Sequence, residues 1–229
     1  MDVKHKQWND RQKKLRQHLK RPADIESARS LFLTQHSWVH RAEISGGGFL
    51  SFSDAVWQEL SPQAARCIPP GGEHSVVWCL YHLARIEDVT MSVLAAGMEQ
   101  VFDQEGRQAA LNSPIRHTAN AMTIEEIESL SSKIDLDALA SYRRAVGTNT
   151  RRIVQEFAAE DLERQVKPED LQLLLDRGDV LPEAQPILDY WGRRTVAGLL
   201  LMPPTRHNLI HINEAMRIKK KAGRLNTRI

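Results

Sequence analysis

Pro203-Pro204-Thr205-Arg206-His207-Asn208-Leu209-Ile210-His211-Ile212-Asn213-Glu214-Ala215-Met216 reads as a helix with two prolines at its start. Proline suits a first turn because the N–H groups there have no intrahelical partner. His207 and His211 then lie one turn apart on one face, which continues through Ile210, Glu214 and Ile218. Two imidazoles on adjacent turns can hold one divalent metal, the geometry of H-x-x-x-H motifs. Two ligands alone make no tight site. A third has to come from elsewhere in the chain.

Upstream, Pro186 to about Met202 is periodic as a helix that Pro203-Pro204 breaks. Pro168 to about Arg177 is a short helix ended by Gly178, with residues 161–166 as a connector. Asp135 caps a long helix, Leu136 to about Ala159, in which Gly147 marks a kink or a close approach. Thr123 with Glu125 and Glu126 opens a short helix to about Ser131. Residues 98–120 are loose and His117 is a loop residue.

Glu73 to Gly97 is a second long helix. Positions 75, 79, 82, 83, 86, 90, 93 and 94 form one stripe at helical spacing. His82 stands in its middle. A single histidine on an apolar face is ordinarily a hydrogen-bonded core residue, but this is also where a third metal ligand facing a bundle core would be.

Earlier still, residues 61–72 read as a Pro- and Gly-rich loop and Asp54 to Leu60 as a short helix. Asp24 caps a helix reaching about Ser45, where Gly46-Gly47-Gly48 stops it. It carries another H-x-x-x-H, His36 and His40, which competes as a metal pair. The plainer expectation is that one of these imidazoles lines a pocket and the other faces water.

No segment alternates with period two. The chain has no internal repeat, Gly-rich phosphate loop, G-x-S-x-G or H-E-x-x-H. Long amphipathic helices joined by polar connectors give an all-α bundle with additions.

The 229 residues, 41% hydrophobic and 26% charged, suffice for one large domain or two small ones. Net charge is +2, but the ends are basic. Lys4, Lys6, Arg11, Lys13, Lys14, Arg16, Lys20 and Arg21 face only Asp2 and Asp10, and no acid follows Glu214. Such ends are read as solvated helix ends and tails rather than a nucleic-acid stripe. Cys67 and Cys79 form no C-x-x-C. Without a secretory signal, a cytoplasmic location with reduced thiols is expected. No apolar run approaches the roughly 20 residues of a membrane span. Residues 1–22 are expected as a basic N-terminal helical extension that packs weakly, 23–221 as the bundle and 222–229 as a basic tail.

If His82 faces His207 and His211 in one bundle, three neutral nitrogens with open positions make a catalytic-type site for zinc, nickel or iron. Glu214 then orients an imidazole or faces solvent. The phrase Ser75-Val-Val-Trp-Cys-Leu-Tyr-His82-Leu-Ala-Arg-Ile-Glu87, followed far downstream by Pro204-Thr-Arg-His207-Asn-Leu-Ile-His211-Ile-Asn-Glu, resembles the DinB-like (YfiT-like) metal-binding four-helix proteins over roughly residues 23–220.

The resemblance implies an up-up-down-down four-helix bundle with extra short helices, a homodimer, and a zinc or nickel ion on His82, His207 and His211. It implies a small-molecule substrate and, in some relatives, transfer of a low-molecular-weight thiol such as bacillithiol or mycothiol. The alternatives are a metal-dependent hydrolase and a non-catalytic metal-binding stress-response bundle. His36, His40 and Glu214 are candidates for proton transfer or orientation. The N-terminal extension, the long 98–134 connection and the His36/His40 pair depart from the family pattern.

Overall fold

A computed structural model describes residues 3–104 and 106–226. In chain order its α-helices are α1 Val3–His18, α2 Ile25–Val39, α3 Phe52–Trp57, α4 Pro62–Arg66, α5 Val76–Asp88, α6 Arg107–Leu111 and α7 Ile124–Lys133. They continue with α8 Leu136–Glu156, α9 Ala159–Glu163, α10 Pro168–Asp176, α11 Gln185–Gly192, α12 Val196–Leu200 and α13 Asn208–Asn226. Among the described residues the only β pairing is one isolated bridge, Gln165 to Thr195. The fold is all-α.

Helices α2, α5, α8 and α13 close a four-membered ring, in which α5 touches α8 and α13, and α2 touches the same two. Local chemistry sets where they begin. Ser75 Oγ accepts from the Trp78 N–H at 2.9 Å to start α5, and Asp135 Oδ1 accepts from the Ala138 N–H at 2.8 Å to start α8. Thr123 and Glu126 form the capping box of α7. Asp24 precedes α2 but makes no cap bond, because its carboxylate meets His18 Nδ1 at 3.1 Å instead.

α5 is buried on every face, not along one stripe. Two apolar cores meet on it, one holding Val76 to Ala84 and the other Ile86 to Ala95. His82 and Glu87 flank the junction. Beyond Asp88 the helix widens into a π-helical turn, Val89–Ala95.

Several boundaries differ from the sequence reading. α2 stops at Val39 rather than near Ser45: His40 is extended and the Val39 carbonyl is claimed by Arg143 Nη2 at 2.6 Å. The helix expected from Pro186 to Met202 breaks after Gly192, where an added Cβ would sit 2.9 Å from Leu171, and Thr195 caps a new helix. Pro203 and Pro204 lie inside a π-helical segment, Met202–His207, that runs straight into α13. Helices α4, α6 and α9, each five residues long, occupy stretches read as loop or connector.

The N-terminal helix packs firmly, not weakly. Trp8 and Leu15 are buried, and the Trp8 indole N–H donates to the Gln35 carbonyl at 3.2 Å. Gln12 Nε2 donates to Thr205 Oγ1 at 3.0 Å and to the Leu201 carbonyl at 3.1 Å, pinning α1 to the π-helical segment. Glycines 46–48 adopt positive φ after the 3₁₀ turn Ala42–Ser45, so they end that turn rather than α2.

Candidate metal centre

α5 carries His82, the end of the π-helical segment carries His207, and α13 carries His211 one turn further on. The fold brings the three together. Their ligand-capable nitrogens lie within 4.8 Å of one another, and their ring centroids are 4.6 to 4.9 Å apart. His82 Nε2 and His207 Nε2 are 3.1 Å apart.

Each outer nitrogen has its own environment. His82 Nδ1–H donates to the Thr118 carbonyl at 2.6 Å, which leaves Nε2 as a bare lone pair. His211 Nδ1–H donates to Glu214 Oε2 at 2.7 Å, which again directs Nε2 inward. His207 Nδ1 is buried without a partner. Glu214 is therefore not a solvent-facing bystander. Its other oxygen meets His74 Nδ1 at 2.7 Å, and His74 lies flat on Trp78, 3.5 Å between centroids, with Trp78 stacked in turn on His82.

Electrostatics keeps His82 and His207 neutral. Burial, assisted by His211, lowers the His82 pKa to about 3. Burial and the neighbouring His82 push His207 well below the ordinary imidazole range. Burial opposes ionisation of Glu214, but hydrogen bonds from His211 and His74 outweigh it and hold the carboxyl well below its usual range. Neutral imidazoles with inward lone pairs are what a divalent cation requires. Two nitrogens on one tetrahedral zinc are about 3.3 Å apart at ordinary Zn–N lengths, close to the separation of His82 and His207. The outer hydrogen bonds of His82 and His211 are the supports that ligating histidines commonly have. The donor set fits a divalent metal.

Two clefts flank the cluster. An apolar one of about 180 Å³, lined by Ile86, Tyr190, Trp191, Met202 and Pro203, reaches His207. The other, about 190 Å³, reaches His74 and Glu214 and has Arg217 and Lys221 at its edge. A larger depression of about 580 Å³, lined in part by Phe102 and Gln108, includes none of these histidines.

A second convergence lies further along α5, around Glu87. His36 and His40 are both buried, contrary to the expectation that one faces water. Each places its Nε2 2.8 Å from a different oxygen of Glu87. Burial lowers His40 to about 3 against the opposing pull of Glu87. Burial disfavours the Glu87 anion, but the two imidazoles overcome this and keep it ionised. Cys79 lies within reach of His211 and Glu214, yet burial pushes its thiol well up, so it offers no nucleophile.

Four contributors escaped the sequence. His74 precedes α5 and shows its role only through its bond to Glu214 and its stacking on Trp78. Glu87 lies off the expected stripe. Thr118 supplies a backbone carbonyl, which leaves no residue signature. Asn208 sits beside His207 on the sequence but points its amide to Glu87.

Comparison with curated proteins finds no match. Residues 53–212 match a known family, a span that includes His82, Glu87, His207 and His211 but leaves His36, His40 and Glu214 outside. That match covers well over half of a helical chain whose bundle gathers histidines from its second and fourth core helices, and the chain belongs to the DinB superfamily.

Proposed function

We propose that the chain binds a divalent metal, zinc or nickel with iron as a further choice, on His82, His207 and His211. On that centre it transfers a low-molecular-weight thiol to a small electrophile. The observation that carries the reading is the convergence of three imidazoles, two of them with Nδ1–H bonded outward. A cation held there would supply the field that deprotonates a thiol near neutral pH.

The chain's own groups do the rest. Thr118 and Glu214 fix the His82 and His211 ring orientations, and Glu214 is itself held by His74. Three nitrogen donors leave positions open for a small ligand. The apolar cleft beside His207 suits the apolar body of an electrophile. Cys79 is buried and protonated, so the attacking thiolate has to come from a co-substrate. His36 and His40 are enclosed with Glu87, which favours a role behind the site over proton shuttling to solvent. No described helix is long and apolar enough to cross a membrane. A homodimer is the expected assembly, and light scattering on the purified chain checks it.

Metal analysis of the tag-free protein, His82→Ala and His207→Ala tests the centre. We expect near-stoichiometric metal in the native chain and loss in both variants. No uptake after soaking with zinc, nickel and iron overturns the reading. Bound metal without consumption of any thiol across a panel of electrophiles removes the transferase and leaves a metal-binding bundle.

A further inference from the structure

His36 and His40 come one turn apart from the end of α2. Their rings stack at 4.3 Å between centroids. Their Nε2 atoms and the Glu87 carboxylate form a set whose ligand atoms lie within 4.8 Å of one another. Asn208 Nδ2 reaches the same carboxylate at 2.6 Å. All four side chains are buried, with exposures of 0, 1, 0 and 0%.

Three observations go beyond ordinary packing. First, Glu87 is a fully buried carboxyl group gathered against three nitrogen-bearing side chains, and a carboxylate in such a place ordinarily stands against a cation because its desolvation is costly. Arg143 is the buried cation nearby, but its Nη2 donates to the Val39 carbonyl and its Nε and Nη1 have no partner. Second, His36 Nδ1 and Asn208 Oδ1 are buried without partners. The Asn208 oxygen is a hard donor on the amide that already touches Glu87. Third, α8 gives up a side chain at Gly147, where a Cβ would stand 2.5 Å from His40 Nδ1. The helix is locally cut away to seat that imidazole.

Two imidazoles and one carboxylate are a donor set used for zinc and for ferrous iron. We propose that His36, His40 and Glu87 form a second divalent-metal site, closed to solvent and separate from the three-histidine centre. The two share no ligand, so neither assignment rests on the other. The cation would balance the charge of Glu87. Enclosure makes exchange at this site slow and removes it from direct contact with a substrate. It ties α2 to α5.

The test is a metal count on the full-length, tag-free protein, stripped with a chelator and reloaded with zinc or with ferrous iron. Native mass spectrometry and elemental analysis should give two ions per wild-type chain. His207→Ala and Glu87→Gln should each retain one, and the double variant none. X-ray absorption on the His207→Ala protein should show a mixed nitrogen and oxygen shell. One ion in the wild type with Glu87→Gln unchanged overturns the proposal, as does a metal-free His207→Ala protein that keeps its helical circular dichroism. If Glu87→Gln fails to fold, the wild-type count and the ion left in His207→Ala still decide.

Discussion

Replacing Gly147 by alanine should destabilise this protein, although it adds a better helix former to the interior of a helix. On an unobstructed helix the change gains about 0.5–1 kcal/mol. Here the new methyl would lie 2.5 Å from His40 Nδ1, 2.7 Å from Cε1 and 3.1 Å from Cγ. The imidazole has little room to give, since His36 stacks on it and Nε2 is bound to Glu87 at 2.8 Å. Overpacking of this kind costs about 1–3 kcal/mol. If the ring swings away, the buried Glu87 loses a hydrogen bond, costing about 1.5–3 kcal/mol for a bond to a charged group. These two costs are alternatives, so after the helix gain the net loss is about 0.5–2.5 kcal/mol. For a domain of this size that corresponds to a drop in Tm of roughly 1–10 °C. Urea unfolding of the wild type and the Gly147→Ala variant, followed by circular dichroism, measures it. A variant as stable as the wild type, or more so, would refute the close packing of His40 against α8.

Removing the support of one ligand should weaken metal binding without abolishing it. Glu214→Ala frees the His211 ring and is expected to cost about 10–100-fold in affinity, read by competition with a chelating indicator; an unchanged affinity would show that His211 is oriented by something else. Asp179 is a buried acceptor for Arg85 at 2.9 Å, Arg116 at 2.8 Å and Gln100 at 2.7 Å. Its replacement by alanine leaves the Arg85 charge in the core with fewer partners and should cost about 3–5 kcal/mol. A loss below about 1 kcal/mol in denaturant titration would mean that water replaces the carboxylate. The metal-free protein should lose stability as pH falls. His40 and His82 stay neutral in the fold down to about 3, whereas the unfolded chain takes protons near 6.5, so between these values the unfolded state binds more. Glu87 acts in the same direction below about 4.5, because the fold holds it ionised. Urea midpoints that stay flat from pH 7.5 to 5 contradict this.

What could be read from the chain was what repeats along a helix. Thr123 and Asp135 announced their helices because a cap acts within three residues. His207 and His211 announced a shared face because they are one turn apart, and His82 because it interrupts an apolar run. The set became visible only when three separate signals were placed in one bundle. Glu87 was invisible as a partner because its histidines lie 47 and 51 residues upstream. The firm packing of α1 was missed because its buried face combines Trp8 and Leu15 with Gln12, a residue that hydropathy counts as surface. The early end of α2 comes from Arg143, which takes a carbonyl from a different helix, and no local pattern encodes that.

The π-helical lead-in to α13 has a consequence for sequence change. A π turn holds one residue more than the α turn it replaces, so Met202–His207 acts as a one-residue wedge that sets the direction of His207 and, one turn on, His211. Deleting one residue from it could restore a regular helix at little cost in length. Each residue of an α-helix turns by about 100°, however, so either His207 and His211 or the preceding α12 would rotate away from their present neighbours. Insertions and deletions in this segment are therefore far more constrained than its exposed neighbours, and a homologue lacking the extra residue would have to aim its histidines from another register.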